Sequence, residues 1–177
     1  ILLINMFRIE DNKSLDEMKK HFEVAENEVH QNSKNYSYEN MKKRWDKYLT
    51  FTLLTYYNRP LAFAGVYDYG NDLVRICDRY YVFPMYRNIN LSLRQRPAND
   101  WIIPHHHKYA KTNNYECFFS IQTLKKRRAM QKSVKHVEYL GFKLLDGLYA
   151  TCNPKSENCW QNIASTTEDI HLPFRNV

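Results

Sequence analysis

The sequence predicts a single domain of the α/β (α+β) class, built on a central sheet flanked by helices. Strand-like and helical segments alternate along the chain, and three consecutive strand-like segments joined by short turns stand in its middle. Of the 177 residues, 44% are hydrophobic and 15% aromatic, which is enough for one packed core. Only four glycines and six prolines are present, which argues against a linker-rich chain.

The first two elements are a strand over residues 1–9 and a helix that begins after Ser14. Ser14 and Glu17 stand three positions apart, the spacing of a capping box, in which each side chain binds the other residue's backbone N–H. The apolar residues that follow share one helical face: Leu15, Met18, Phe22, Ala25 and Val29. We therefore predict an amphipathic helix here.

A second helix is predicted after Ser37, which is available as its N-cap. The spacing of its large side chains is helical: Tyr38, Met41, Trp45 and Tyr48. We interpret this stripe as core rather than as a platform for a ligand.

The middle of the chain predicts three antiparallel strands, over 49–57, 61–67 and 73–83, separated by turns at 58–60 and 68–72. A short helix is expected after Arg87 and should end at Pro97, because proline removes an N–H donor and clashes with the preceding turn. Residues 100–114 are expected to form an irregular loop.

The last part of the chain predicts a strand over 115–121 and a long basic helix over 123–140. Gly141 should end this helix, since glycine readily adopts the left-handed conformation of a helix C-cap. Two terminal strands are expected over 142–151 and 160–164.

The segment 82–92, Val-Phe-Pro-Met-Tyr-Arg-Asn-Ile-Asn-Leu-Ser, is typical of a strand that turns into a helix. Backbone N–H groups at such a turn bind phosphate. In its order of elements over residues 1–165, and in this segment, the chain resembles the GNAT superfamily of acyl-CoA N-acyltransferases. That family's strand leads through V-x-P-x-x-R into a loop [R/Q]-x-x-G-x-[G/A]. Val82, Pro84 and Arg87 match it, while Asn90 and Ser92 stand in place of the two small residues.

The resemblance implies a mixed, mostly antiparallel central sheet with helices on both faces, in one domain over 1–165 with a C-terminal extension over 166–177. It implies acetyl-CoA as the acyl donor, with the pantetheine arm on the backbone of Tyr81, Val82 and Phe83. The pyrophosphate would be bound by Arg87, Asn88, Ile89, Asn90, Leu91 and Ser92. The implied reaction transfers an acyl group, expected to be acetyl, to an amine on a small molecule or a polypeptide.

A second match is the segment 138–142, which resembles the family's Y-e-k-x-G-F ending of its last major helix. In many members a tyrosine four residues before the glycine protonates the leaving thiolate. This chain has Val137 at that position. Tyr139 is our candidate general acid, although it lies about 200 degrees around the helix from Val137. Another tyrosine or solvent is the alternative.

Asp78 is the candidate general base, because it is the carboxylate nearest the expected cofactor contacts. Strand alternation would place Cys77, Arg79 and Tyr81 on one face and Asp78, Tyr80 and Val82 on the other. The alternative role for Asp78 is structural pairing with an arginine, which we favour.

No metal site is expected. Three consecutive histidines at 105–107 in a loop do not converge on one ion, and no Cys-x-x-Cys pair is present. The formal net charge of +7 would attract an anionic partner. For the basic run at 125–128 we favour a solvated helix face over a nucleic-acid site. No apolar run of about 18 residues is present to cross a membrane, so we expect a cytoplasmic protein.

Two other functions remain open: a catalytically degenerate GNAT-fold binding protein, and a basic nucleic-acid-binding module. Segment 171–174 could also pack on a second copy of the chain.

Overall fold

The computed structural model describes residues 6–28, 36–86, 97–120, 135, 137–145 and 149–152. Its strands form one seven-stranded sheet in the order β1-β2-β3-β4-β5-β7-β6. The strands are β1 Phe7–Glu10, β2 Tyr48–Tyr56, β3 Arg59–Gly70, β4 Leu73–Val82, β5 Glu116–Ser120, β6 Lys143–Leu145 and β7 Tyr149–Cys152. The α-helices are α1 Leu15–Glu26, α2 Tyr38–Arg44 and α3 Ile103–Thr112.

Strand pairing is mostly antiparallel, as predicted. β1 with β2, β2 with β3, β5 with β7 and β6 with β7 are antiparallel pairs, while β4 and β5 run parallel. The predicted class, a mixed sheet with helices, is confirmed.

The chain divides into two compact units. The first unit comprises Ile1–Asp68 and Cys77–Ile102, and the second comprises Tyr69–Ile76 and Ile103–Val177. The single domain over 1–165 and the extension over 166–177 stay predictions.

Helix α1 of the first unit begins as predicted. The Ser14 hydroxyl accepts the backbone N–H of Glu17 at 3.1 Å, and the Glu17 carboxylate accepts that of Ser14 at 2.8 Å. Because this reciprocal cap fixes the phase of the helix, Met18, Phe22 and Ala25 face inward and are buried. The ring of Phe22 then packs edge-on against Phe51 of β2 and Phe63 of β3.

Helix α2 is shorter than predicted. The Ser37 hydroxyl caps it by accepting the Asn40 N–H at 3.2 Å, but the helix ends at Arg44 and a 3-10 turn follows over Trp45–Lys47. Tyr48, expected on the helical stripe, is instead the first residue of β2, where it pairs with Tyr67 of β3. Sheet pairing overrides the helical spacing at this position.

Strand β4 does not alternate as predicted. Asp78 contacts Arg44 of α2, and Tyr81 contacts the ring of Tyr36 just before α2, so both side chains lie on the helix-covered side. Cys77 and Arg79 adopt positive φ angles of 53° and 52°. A residue in left-handed geometry inside a strand acts as a bulge and shifts the side-chain alternation, which strict period-2 counting cannot anticipate.

The predicted loop at 100–114 is wrong. A π-helical turn over Pro97–Ile102 leads into α3. The buried face of α3 is a helical i, i+3, i+4, i+7 set consisting of Ile103, His106, His107 and Ala110. The prediction considered only the spacing of apolar residues, and two of the four buried positions are histidines, so the helical periodicity was not detected. The histidines at 105–107 therefore lie on a helix rather than in an exposed loop.

The second unit also pairs Leu73–Arg75 of β4 with 116–118 of β5. The strand predicted over 142–151 is two strands, β6 and β7, which pair with each other. Gly141 has the predicted left-handed conformation, with φ of 94°, after a 3-10 turn over Glu138–Leu140. The helix expected after Arg87, most of the helix at 123–140 and the strand at 160–164 lie outside the described residues.

Candidate functional site

The first unit holds a buried polar cluster, formed by Asp78, Arg44 and Tyr48. Asp78 is 1% exposed, and its Oδ2 accepts hydrogen bonds from Arg44 Nη2 and from the Tyr48 hydroxyl, both at 2.6 Å. The Arg44 guanidinium also lies over the ring of Tyr67, 4.3 Å from its centroid. The arginine charge is thus compensated by a carboxylate and by an aromatic face.

Burial raises the pKa of the Tyr48 phenol well above its ordinary value, and the neighbouring Asp78 charge adds to this effect. The phenol therefore stays protonated and acts as a donor to Asp78. Pairing of Asp78 with an arginine, the role favoured from the sequence, is what the structure shows. Its role as a general base stays a prediction.

Three tyrosines surround the bulged half of β4. The Tyr36 hydroxyl donates to the Tyr80 carbonyl at 2.8 Å, and the Tyr81 hydroxyl donates to the Glu28 carboxylate. Burial raises the pKa of the Tyr80 phenol well above its ordinary value, with Cys77 as a second cause. The Tyr36 hydroxyl thus ties the backbone of β4 to the segment just before α2.

The bulge itself is a functional signal. Non-glycine residues in left-handed geometry cost about 1–3 kcal/mol each and persist where the surroundings fix them, often at ligand sites. Cys77 and Arg79 adopt this geometry on either side of the buried Asp78. Two strained residues inside β4 therefore flank the residue that carries the polar cluster.

A hydrogen bond at the end of β4 indicates the direction in which the backbone N–H and C=O groups point there. The Phe83 N–H donates to the Leu61 carbonyl of β3 at 2.9 Å. Because peptide groups alternate in direction along a strand, Val82 directs its N–H and C=O toward the edge of β4 that faces away from β3. The opposite edge of β4 pairs with β5 over Leu73–Arg75, at the beginning of the strand.

The predicted site residues fall into three groups. Asp78, Tyr81, Val82 and Phe83 lie together in the first unit, with Tyr81 and Phe83 buried at 5% and 6% exposure. Tyr139 lies in the second unit and is 74% exposed. The expected pyrophosphate segment, Arg87, Asn88, Ile89, Asn90, Leu91 and Ser92, lies outside the described residues.

The sequence interpretation missed Arg44 and Tyr36, and it assigned Tyr48 to a helix. A buried carboxylate needs a cation, but the sequence offers Arg75 and Arg79 on the same strand, so it does not single out Arg44.

Within the described ranges, no three His, Cys, Asp or Glu side chains are grouped so that they could hold a metal ion. The described helices include none that is long and apolar enough to span a membrane.

Several solved N-acetyltransferases share the architecture of this chain. The ribosomal-protein-S18-alanine N-acetyltransferase from Escherichia coli is similar with a TM-score of 0.58 and 13% identity, over 86% of this chain and 98% of that one. A putative acetyltransferase from Salmonella typhimurium with its cofactor acetyl-CoA gives a TM-score of 0.54, 12% identity, and coverage of 86% and 97%.

The PaiA N-acetyltransferase from Thermoplasma acidophilum in complex with coenzyme A gives a TM-score of 0.52, 16% identity, and coverage of 81% and 97%. No family model and no curated protein sequence matches the chain. At these identities the likeness shows the fold, and the chain has the GNAT fold.

Proposed function

We propose that this chain is an N-acetyltransferase that transfers an acetyl group from acetyl-CoA to an amine. The observation that carries the proposal is the end of β4, considered on a fold shared with N-acetyltransferases. There the Phe83 N–H donates to the Leu61 carbonyl of β3, which sets the direction of the neighbouring peptide groups. In the proposal an amide-rich linear ligand, the pantetheine arm, adds main-chain hydrogen bonds along the end of β4.

The residues present suit coenzyme A in two further respects. Its phosphates are anionic, and the chain carries a formal net charge of +7. Arg87 follows β4 closely in sequence, and in the proposal its guanidinium and the backbone N–H groups of 88–92 bind the pyrophosphate. Bound acetyl-CoA supplies the activated thioester, and the protein supplies position and proton transfer.

The proposal gives Asp78 and Tyr139 different tasks. Asp78 holds Arg44 and Tyr48 in place, because a carboxylate that already accepts two hydrogen bonds at 2.6 Å is a weak proton acceptor. The exposed phenol of Tyr139 is the candidate general acid for the leaving thiolate. The proposed acceptor is an amine on a small molecule or a polypeptide; the Escherichia coli neighbour is named for the alanine of a ribosomal protein.

One observation favours a second function, a coenzyme-binding protein without turnover. Val137, which stands where the family resemblance expects the acidic tyrosine, is fully buried at 0% exposure. A valine in the core cannot donate a proton, so catalysis depends on Tyr139 or on water.

A thermal shift and a thiol-release assay test the proposal together. At 100 times its dissociation constant, acetyl-CoA should stabilise the protein by about 2.7 kcal/mol, which raises Tm by about 5 °C or more. Free thiol should then appear with at least one amine among a peptide with a free N-terminus, a lysine peptide and a polyamine. Tyr139→Phe should slow thiol release at least tenfold and leave the thermal shift unchanged.

The outcomes separate the candidate functions. A thermal shift without thiol release from any amine selects the binding protein. Absence of both effects rejects coenzyme binding and with it the proposal.

A further inference from the structure

The first unit contains a cavity of about 420 Å³ that the proposed acetyl transfer does not use. It lies between β1, β2, the turn into β3, and the first half of α1. Its volume is in the range of small-molecule sites, about 300–1,000 Å³. The innermost lining is buried and includes Met18 and His21 of α1 with Leu53 of β2.

Cations dominate the mouth of this cavity. Arg8 of β1 and Lys20 of α1 line it with exposed side chains, and Lys13 lines it with a half-buried one. Lys13 is already paired with Glu10 at 3.4 Å. Among the described residues, neither Arg8 nor Lys20 has an acidic partner.

The carboxylates of the lining are engaged elsewhere. Glu10 pairs with Lys13, and Glu17 accepts the backbone N–H of Ser14 in the capping box. That hydrogen bond lowers the pKa of Glu17, which keeps it ionised and committed to the helix terminus. The cavity mouth therefore keeps two cations that no lining carboxylate neutralises.

His21 supplies an independent indication of a ligand. Its side chain lines the cavity and the residue is only 8% exposed. One side of the ring contacts Phe83 edge-on, at 5.6 Å between centroids. Within the described part of the chain the imidazole makes no hydrogen bond, which is uncommon for a polar side chain at this depth.

The electrostatics agree with this interpretation. Burial lowers the pKa of His21, and the nearby charges of Lys20 and Lys13 lower it further, against a smaller raising effect of Glu10. The positive charges of Lys20 and Lys13 that oppose protonation of the imidazole also attract an anion.

We propose that this cavity binds a small molecule that carries one oxyanion group, a carboxylate or a phosphate, on a short apolar body. The oxyanion binds to Arg8 and Lys20 and accepts a hydrogen bond from His21. The apolar body packs on Met18 and Leu53. This proposal does not depend on acetyl transfer, because the residues that would contact the ligand lie outside the expected coenzyme contacts: Arg8, Met18, Lys20, His21 and Leu53.

Nuclear magnetic resonance of the full chain tests the site with two probes, inorganic phosphate and hexanoate. Each titration follows the ring signals of His21 and the backbone amide signals of α1. We expect at least one probe to give saturable shifts with a Kd on the order of 1 mM. Tighter binding of hexanoate identifies a carboxylic acid with an apolar chain, and tighter binding of phosphate identifies a phosphate ester.

Two variants and one control assign the contacts. Lys20→Glu reverses a charge on an exposed helix face, so the fold is retained, and it should raise Kd about tenfold or more. His21→Phe keeps the ring packing on Phe83 but loses the hydrogen bond, and it should raise Kd about fivefold. Lys47→Glu makes the same charge change at the other end of β2 and should leave Kd within about twofold.

Absence of saturable shifts with both probes overturns the proposal. So does an equal loss of affinity in Lys20→Glu and Lys47→Glu, because the anion would then respond to overall charge rather than to this cavity.

Discussion

Replacing Asp78 with asparagine separates the structural role of this residue from a catalytic one. The substitution keeps the shape of the side chain and removes its charge. Two donors at 2.6 Å, Arg44 Nη2 and the Tyr48 hydroxyl, then meet a neutral oxygen in a site that is 1% exposed. The Arg44 charge loses its carboxylate partner, although it keeps its contact with the Tyr67 ring.

The magnitude follows from the two hydrogen bonds. A hydrogen bond to a charged group contributes about 1.5–3 kcal/mol and a neutral one about 0.5–1.5. Losing the charge at both contacts therefore lowers the free energy of unfolding by about 2–3 kcal/mol. The larger cost of about 3–5 kcal/mol for breaking a fully buried pair is reduced here, because the Arg44 side chain is 21% exposed to water.

Urea unfolding at 25 °C, followed by circular dichroism, measures this loss. Tyr48→Phe removes one of the two hydrogen bonds and should cost about 1 kcal/mol. The variant that carries both Asp78→Asn and Tyr48→Phe should lose about 1 kcal/mol less than the sum of the two single losses, because both changes act on the same oxygen. Asp46→Asn, a matched change at an exposed aspartate, should change stability by less than about 0.5 kcal/mol.

The thiol-release assay on the same variants gives the outcome that would refute this reasoning. If Asp78→Asn changes stability by less than about 0.5 kcal/mol but abolishes acetyl transfer, Asp78 is the general base and its contacts contribute little to stability.

The remaining predictions concern neighbouring features of the first unit. Gly65→Ala should lower the free energy of unfolding by about 1–3 kcal/mol in urea, because the added Cβ would lie 2.5 Å from the Tyr48 ring. Above pH 10.0 the unfolded chain releases the Tyr48 proton before the folded chain does, so stability present below that pH is lost as pH rises. Tyr48→Phe should reduce this decline by about 1.4 kcal/mol per pH unit. Lys20→Glu should raise the pKa of His21, measured by nuclear magnetic resonance, because it replaces a repelling charge with an attracting one.

Each of these has a contradicting result. Unchanged stability in Gly65→Ala would mean that the tyrosine ring moves aside at no cost. An unaltered alkaline decline in Tyr48→Phe would assign the decline to other groups. A His21 pKa that does not move in Lys20→Glu would show that burial alone lowers it.

The parts of the fold that local chemistry determines could be predicted from the sequence. Helix α1 was predictable because its capping box and its apolar spacing are both local, and Gly141 because a helix end commonly requires left-handed geometry. Helix α3 was missed because two buried histidines interrupt its apolar pattern.

The candidate site was harder to predict because its contacts are long-range. Arg44 and Asp78 are separated by 34 positions in sequence, and no local sequence pattern predicts that they pair. The left-handed conformations of Cys77 and Arg79 likewise have no signal in residue type, since neither is a glycine or an asparagine. The tertiary structure imposes both features.

Isothermal titration of the chain with acetyl-CoA, repeated on Arg87→Glu and on Lys47→Glu, tests whether coenzyme A binds through Arg87. We predict saturable one-to-one binding that Lys47→Glu preserves and Arg87→Glu weakens at least tenfold, because reversing the charge repels the pyrophosphate. Equal affinity in the native chain and in Arg87→Glu, or no binding by the native chain, would contradict it.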